Sequence, residues 1–261
     1  MDWLLWTYAA VVGAVFGSFL NVCIHRWPRG ESVVRPRSRC PGCGEPIAWY
    51  DNVPVFSWLV LRGHCRHCRE RISLQYPLVE LVTALLWLAA AARFGLSVEA
   101  LRMAVFLTLL LGIALTDARH MVIPDQLSLG GAAIGVALAA VPGGMSLVAS
   151  LLGAAVGYVF FWVIKLGAEK AFRKPALGVG DIHMMAMIGA FVGVPGALLT
   201  VLLGSLLGLL VGVPLTWWRG RLTLLGTYLP LGTFLAVGAA ITYTWGDALV
   251  LWYLRLVVPG A

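Results

Sequence analysis

The strongest constraint on the fold is a series of long apolar stretches that recur along almost the whole chain. A helix needs about 20 apolar residues to cross a hydrocarbon layer about 30 Å thick. Eight stretches approach that length: residues 3–23, 76–93, 98–116, 126–141, 146–164, 181–195, 196–218 and 228–257. The pattern predicts an all-α polytopic membrane protein with about eight transmembrane helices.

The composition of the chain points to the same class of protein. Apolar residues make up 60% of the sequence and charged residues 12%, whereas about 25% of residues are charged in ordinary soluble domains. So much apolar surface excludes a disordered chain, a coiled coil and a conventional nucleic-acid-binding module. We therefore expect the lipid bilayer as a partner and no nucleic acid. A cleaved signal peptide is an alternative for the first span, but Asp2 and the length of the apolar run disfavour it.

Two short Pro/Gly segments predict reversals of the chain. Residues 141–144 and 193–196 each end one apolar stretch and are followed at once by the next. Because a helix that stops and restarts across so short a turn must fold back, we expect antiparallel neighbours at both places.

The distribution of basic residues predicts the orientation in the membrane. Nine of the 19 Lys and Arg residues lie between Arg26 and Arg71, in the only long polar segment. With the amino terminus outside, the inner side carries sixteen basic residues and the outer side carries three. The positive-inside rule then puts both termini outside and the long loop in the cytoplasm.

Four cysteines in this loop form two C-x2-C pairs, Cys40 with Cys43 and Cys65 with Cys68. Two such pairs supply the four sulfurs of a tetrahedral structural zinc site. The loop therefore predicts a cytoplasmic zinc-binding domain over residues 24–75, between a first transmembrane helix at residues 1–23 and a membrane core at residues 76–261. Disulfides are the alternative, which a reducing cytosol disfavours. His64 or His67 could also replace one sulfur as a ligand.

Three aspartates stand at the ends of predicted spans: Asp117, Asp125 and Asp181. Acids beside apolar spans are costly and are often functional. We predict that Asp117 and Asp181 form a dyad that activates a water molecule for peptide hydrolysis. Gly178 and Gly180 would let an extended substrate approach the backbone.

Simpler interpretations exist for each of these acids. Asp125 follows Pro124 and is interpreted as a helix N-cap. Asp181 could also be only a cap, and Asp117 could pair with Arg119 or His120 at the membrane interface.

Several motifs occur together and in a fixed order: residues 17–28 (GSFLNVCIHRWP), the two cysteine pairs, Asp117 with Ile123-Pro124-Asp125, Gly178-Val179-Gly180-Asp181, and residues 229–236 (LPLGTFLA). In this combination the chain resembles the type IV prepilin peptidases of the GxGD aspartyl protease class. One position departs from the family, in which Lys commonly stands two residues after the second aspartate. His183 occupies that position here.

The resemblance implies a bifunctional enzyme of the bacterial inner membrane. Such enzymes cut the short basic leader of prepilins and pseudopilins on the cytoplasmic side, then methylate the new amino terminus using S-adenosylmethionine. By position, Asp117 and Asp181 match the catalytic aspartates, and Cys40, Cys43, Cys65 and Cys68 match the zinc ligands. Two other classes stay open: a proton- or cation-coupled transporter, and a non-enzymatic assembly factor of a secretion system.

Overall fold

A computed structural model gives the fold and describes residues 2–174, 177–218 and 230–257. Within these ranges it has α-helices, short 3-10 turns and two isolated bridges but no β-strand. The helices are α1 Asp2–Arg26, α2 Phe56–Val60, α3 Gln75–Phe94, α4 Val98–His120, α5 Asp125–Ala139, α6 Leu147–Phe172, α7 Val179–Trp218 and α8 Leu231–Val257. The predicted all-α fold is confirmed.

Six of these helices, α1, α3, α4, α6, α7 and α8, are long and apolar enough to cross a membrane. Helix α5 is apolar but has only 15 residues, in agreement with the short span predicted there. The predicted spans 181–195 and 196–218 both fall within α7. The predicted start of the last span, at residues 228 and 229, lies outside the described residues.

Helix α7 reverses direction at Gly193, whose backbone is not helical (φ 70°, ψ −175°). Near the start of α7, Gly180 packs against the side chain of Ile123, which also contacts Gly232 of α8. Near the other end of α7, Gly208 lies beside Phe234 of α8. A straight helix would separate Gly180 from Gly208 by about 42 Å at a rise of 1.5 Å per residue. The two glycines lie instead near the same end of α8, so the reversal predicted at residues 193–196 is confirmed.

Contacts divide the chain into two compact units, residues 1–108 and 109–261. In the first unit, α1 packs antiparallel to α3 through glycines that admit no side chain. A Cβ atom on Gly13 would lie 2.8 Å from Cβ of Trp87, and one on Gly17 would lie 2.7 Å from Cα of Glu80. Phe16 stacks on Trp87 with ring centroids 4.8 Å apart. The domain bounds predicted from the sequence stay a prediction.

The second unit is built around the first half of α7. Met184, Met187 and Phe191 in this half are almost completely buried. Helix α6 crosses it so closely that a Cβ atom on Gly153 would overlap the carbonyl oxygen of Gly189. Such backbone contact through small residues is the usual way for helices to associate in a membrane.

The second half of α7 packs antiparallel to α8. A Cβ atom on Gly204 would lie 2.9 Å from Cδ2 of Leu235, and one on Gly238 would lie 3.0 Å from the carbonyl oxygen of Thr200. The amino terminus of α8 is thereby held at the end of the unit where α4 ends and α7 begins.

Candidate catalytic site and metal cluster

Asp117 lies in the last turn of α4, and its side chain is held by the first turn of α8. Its carboxylate oxygen Oδ2 accepts hydrogen bonds from the backbone N–H of Thr233, at 2.7 Å, and from the hydroxyl Oγ1 of Thr233, at 3.1 Å. Asp117 is only 6% exposed. An anion buried to this degree needs such donors, because an unpaired charge away from water is very costly.

Asp181 lies in the first turn of α7, and the backbone of Gly178 forms a hydrogen bond with its carboxylate. The negative charges of Asp181 and Asp117 are close enough to act on each other. Ile123 packs between the segments that carry them. A Cβ atom on Gly180 would lie 2.9 Å from Cβ of Ile123, and one on Gly232 would lie 2.7 Å from its Cδ1 and 3.0 Å from Oδ2 of Asp117.

The structure thus brings Asp117 and Asp181 together at one end of the second unit, although 64 positions separate them in the sequence. Both carboxylates accept a backbone hydrogen bond at a helix amino terminus, Asp181 at α7 and Asp117 at α8. Backbone N–H groups and the helix dipole make such termini natural sites for negative charge.

Asp125 lies at the same end of the unit, but the N-cap interpretation of it is wrong. The N-cap of α5 is Pro124, which makes no side-chain cap, and Asp125 is the first helical residue. Its carboxylate Oδ1 lies 2.8 Å from Nδ1 of His183. His183 on α7 is therefore the hydrogen-bonding partner of the carboxylate that a cap would have turned toward its own backbone.

Gly180 was predicted to let a substrate approach, but packing within the protein also explains why this position is a glycine. Any side chain there would press against Ile123. Gly178 is exposed and forms the backbone hydrogen bond to Asp181. Their role in substrate binding stays a prediction.

The four cysteines of the loop form one cluster in the first unit. Their sulfur atoms all lie within 4.8 Å of one another, and Sγ of Cys40 lies 3.7 Å from Sγ of Cys68. Four sulfurs at 2.3 Å from a tetrahedral zinc ion would be about 3.8 Å apart. All four cysteines are free thiols, so the structure contains no disulfide bond among them. The cluster can hold a metal ion.

The two cysteine pairs lie in turns of the same design. In the first, Cys40 N–H donates to Glu45 O and Gly44 N–H donates to Cys40 O. In the second, Cys65 N–H donates to Glu70 O and Arg69 N–H donates to Cys65 O. Gly44 and Arg69, each directly after the second cysteine of its pair, have φ values of 70° and 60°. Each turn therefore closes backbone amides around its two sulfurs.

Backbone hydrogen bonds prepare this cluster for a cation. The backbone N–H groups of Cys68 and His67 point at the sulfur of Cys65 and lower the pKa of that thiol to about 6. At Cys68 the N–H of Glu70 acts in the same direction, but burial and the three neighbouring sulfurs together raise the pKa to about 12. Since metals bind thiolates, a cation at the centre would relieve the repulsion that keeps Cys68 protonated.

Sequence reasoning missed the part that Thr233 plays in this site. The residue stands in the segment 229–236 that carries part of the family resemblance, but no role was assigned to it. The signal was a threonine directly after Gly232 at a helix start, where a hydroxyl and a backbone N–H are both available to an anion. Leu229, at the start of that segment, lies outside the described residues.

Comparisons with known proteins cover both units. Residues 11–94 match the family model described as bacterial peptidase A24 N-terminal domain, and residues 104–213 match the type IV leader peptidase family. No solved structure matches the chain.

Three similar proteins each carry the name prepilin leader peptidase/N-methyltransferase. The protein from Pseudomonas putida is 37% identical over 92% of this chain and 91% of its own length. The protein from Xanthomonas campestris is 35% identical over 95% of this chain and 93% of its own length. The protein from Myxococcus xanthus is 43% identical, over 81% of this chain and 63% of its own length.

Proposed function

This chain belongs to the type IV leader peptidase family, and from that premise we propose that it cleaves the leader of prepilins or pseudopilins and then N-methylates the new amino terminus. The observation that carries the proposal is the meeting of Asp117 and Asp181, two carboxylates whose charges interact at one end of a helical unit. A pair of acids sharing protons is what peptide hydrolysis by an aspartyl protease requires.

In the proposed mechanism, a water molecule lies between the two carboxylates. One carboxylate takes a proton from the water as the water oxygen attacks the peptide carbonyl, and the other gives a proton to the departing amine. Thr233 donates to Oδ2 of Asp117, so we assign Oδ1 of Asp117 to the water. Held in this way, the carboxylate needs little reorganisation during the reaction.

The cysteine cluster is proposed to hold a structural zinc ion. Cys40, Cys43, Cys65 and Cys68 would supply all four ligands, so that no coordination position is open for catalysis. The loop around it has few buried apolar residues, and a metal can supply the folding energy that so small a core lacks.

Methylation requires a methyl donor, for which we propose S-adenosylmethionine. When bound, it would supply an electrophilic methyl group for the amine nitrogen of the processed substrate. The protein must bind the donor, orient that amine and remove its proton.

The proposed location is the bacterial inner membrane, with both termini outside and the cysteine loop in the cytoplasm. This orientation rests on the positive-inside rule. It would also hold a basic leader near the anionic surface of the inner leaflet, on the side where the loop lies.

The test uses the purified full chain in proteoliposomes, with a synthetic prepilin whose basic leader ends in glycine. Mass spectrometry reads the loss of the leader and the gain of a methyl group on the same molecule. We expect Asp117→Asn and Asp181→Asn each to abolish cleavage. Asp247→Asn is the matched control, because this acid is exposed on α8 and should retain full activity.

Each alternative class has its own result in the same assay. Normal cleavage by either Asp117→Asn or Asp181→Asn would overturn the dyad. Proton or cation flux without processing would identify a transporter, and binding of the prepilin without turnover would identify an assembly factor.

A further inference from the structure

A cavity of about 620 Å³ lies in the first unit, between α1 and the cysteine loop. Its α1 wall consists of Val15, Ser18, Phe19, Val22 and Arg26, a spacing that puts all five residues on one face of the helix. The volume is within the range of about 300–1,000 Å³ that is usual for sites of small organic ligands. The lining includes neither the aspartate pair nor the cysteine cluster, so the cavity is a separate feature of the protein.

The α1 wall of this cavity is apolar and open. Val15 is 54% exposed and Phe19 is 51% exposed, on a helix that is long and apolar enough to cross a membrane. Because the hydrocarbon core of the bilayer surrounds such a helix, lipid chains can reach the cavity from the side.

The length of the α1 wall matches one leaflet of a bilayer. From Val15 to Arg26 the helix rises about 16.5 Å, at 1.5 Å per residue. Half of a hydrocarbon core about 30 Å thick is about 15 Å. Since Arg26 is the last residue of α1, the wall extends from the end of the span to about the middle of the bilayer. One acyl chain of the leaflet beside Arg26 would therefore lie along the whole wall.

Two arginines make the cavity positively charged. Arg26 and Arg37 both line it, whereas none of the described residues in the lining carries a carboxylate. The guanidinium group of Arg26 donates to the backbone oxygens of Ser32, at 2.9 Å, and of Arg37, at 3.5 Å, so the loop segment that carries Arg37 is tied to the end of α1. A guanidinium group has five N–H donors, which leaves donors for a ligand. Such a lining repels cations and suits a phosphate group.

We propose that this cavity binds an anionic phospholipid of the cytoplasmic leaflet. The phosphate group pairs with Arg26 and Arg37, and one acyl chain lies along the α1 wall. Trp49, which is 81% exposed and lines the cavity from the loop, would lie at the level of the headgroups, where tryptophan is enriched in membrane proteins. Basic pockets beside spans on the cytoplasmic side are typical sites for such lipids. The inference uses the orientation given under the proposed function but none of its chemistry, so the two can fail separately.

Native mass spectrometry of the purified full chain, titrated with lipid, tests the proposal. The probes are dioleoyl phosphatidylglycerol, which is anionic, and dioleoyl phosphatidylcholine, which has the same acyl chains but no net charge. We expect the first molecule of phosphatidylglycerol to bind at least tenfold more tightly than phosphatidylcholine. Arg37→Gln should weaken the binding of phosphatidylglycerol at least fivefold, and the double variant with Arg26→Gln should lose the preference. Arg37→Lys, which keeps the charge, should stay within about threefold of the unmodified chain.

Two controls separate a local effect from unfolding. Arg35→Gln removes an exposed arginine of the same loop that does not line the cavity, and it should bind phosphatidylglycerol normally. The melting temperature of every variant is measured without added lipid, so that a loss of binding can be told from a loss of folding. If the double variant is unstable, the comparison of Arg37→Gln with Arg37→Lys still decides the question.

Three results would overturn the inference, and they are distinguishable. Equal affinity for the two lipids would show that the cavity does not select an anionic headgroup. Equal losses in Arg35→Gln and Arg37→Gln would show only a diffuse attraction to the basic surface of the loop. Displacement of phosphatidylglycerol by glycerol phosphate at the same concentration would show that the occupant is a soluble phosphate compound. None of these results bears on leader cleavage or methylation, which are judged by the proteoliposome assay.

Discussion

Nδ1 of His183 lies 2.8 Å from Oδ1 of Asp125, so a residue two positions after Asp181 is clamped to the first residue of α5. The ring of His183 also stacks on Tyr158 of α6, with centroids 6.2 Å apart and planes at 14°. The amino terminus of α7 is thus held from two sides. Because Asp181 belongs to the same turn, we expect these contacts to help position its carboxylate.

The clamp predicts that Asp125 and His183 act as positioning residues. Asp125→Ala and His183→Ala should each lower kcat for leader cleavage by about tenfold or more, since small misplacements of reacting groups are costly. Asp125→Asn should lose less, because an amide oxygen can still accept from His183. The double Ala variant should be little worse than either single one. Additive losses in kcat would show that the two residues act independently.

His183→Lys introduces the residue that the family resemblance leads us to expect two positions after Asp181. A lysine carries its positive charge throughout the neutral range, whereas a histidine can be neutral there. We expect the pH–rate profile of leader cleavage to differ between this variant and the unmodified chain. Superimposable profiles would mean that the charge at position 183 does not influence the aspartate pair.

The hydroxyl of Thr233 is predicted to matter for rate. Thr233→Val removes the hydrogen bond from Oγ1 to Asp117 and keeps the shape, so cleavage should fall by roughly tenfold, the equivalent of about 1.5 kcal/mol for a hydrogen bond to a charged group. Thr233→Ser should restore most of the rate. Thr244→Val is the control on the same helix, because the Thr244 hydroxyl bonds the carbonyl oxygen of Ala240. Equal rates for the Val and Ser variants at position 233 would contradict this role.

Loss of the metal should separate the two activities. Cys40→Ser is expected to release zinc, measured as metal per chain by elemental analysis, and to impair methylation before cleavage, since the cysteine loop and the aspartate pair belong to different units. Cys23→Ala, at a buried cysteine of α1 outside the cluster, should retain the metal. A purified unmodified chain without metal would refute the zinc assignment.

The crossing of α6 and α7 is predicted to tolerate no side chain. Gly153→Ala would force Cβ into the carbonyl oxygen of Gly189, and overpacking of this kind costs about 1–3 kcal/mol. Gly167→Ala, on the same helix but with no neighbour within 4 Å, should leave stability unchanged or raise it slightly. Thermal unfolding in detergent compares the two. A Tm for Gly153→Ala equal to that of Gly167→Ala would show that the helices can separate freely there.

Features set by neighbouring residues were predictable from the sequence. Each cysteine pair forms its turn through hydrogen bonds within about five residues. The reversal of α7 depends on two nearby residues, Gly193 and Pro195. The pairing of Asp117 with Asp181 is harder to predict, because the ends of predicted helices show which acids lie at the membrane edge but not which of them lie close together.

The errors and omissions share one physical cause, a partner far away in the sequence. Asp125 has every local mark of a cap, but its partner His183 stands 58 positions later. Thr233 stands 116 positions after Asp117, so no local pattern links them.

The tight turn at Gly193 also fixes the position of Asp181 along and around the axis of α7. Asp181, the crossing with α6 at Gly189 and the turn at Gly193 all belong to the first half of this helix. One residue inserted between positions 181 and 189 would rotate the carboxylate by about 100° around the helix axis. A four-residue insertion would turn it almost fully round again but lift it by about 6 Å. The number of residues between Asp181 and Gly193 is therefore as important for the position of the carboxylate as the identity of the acid itself.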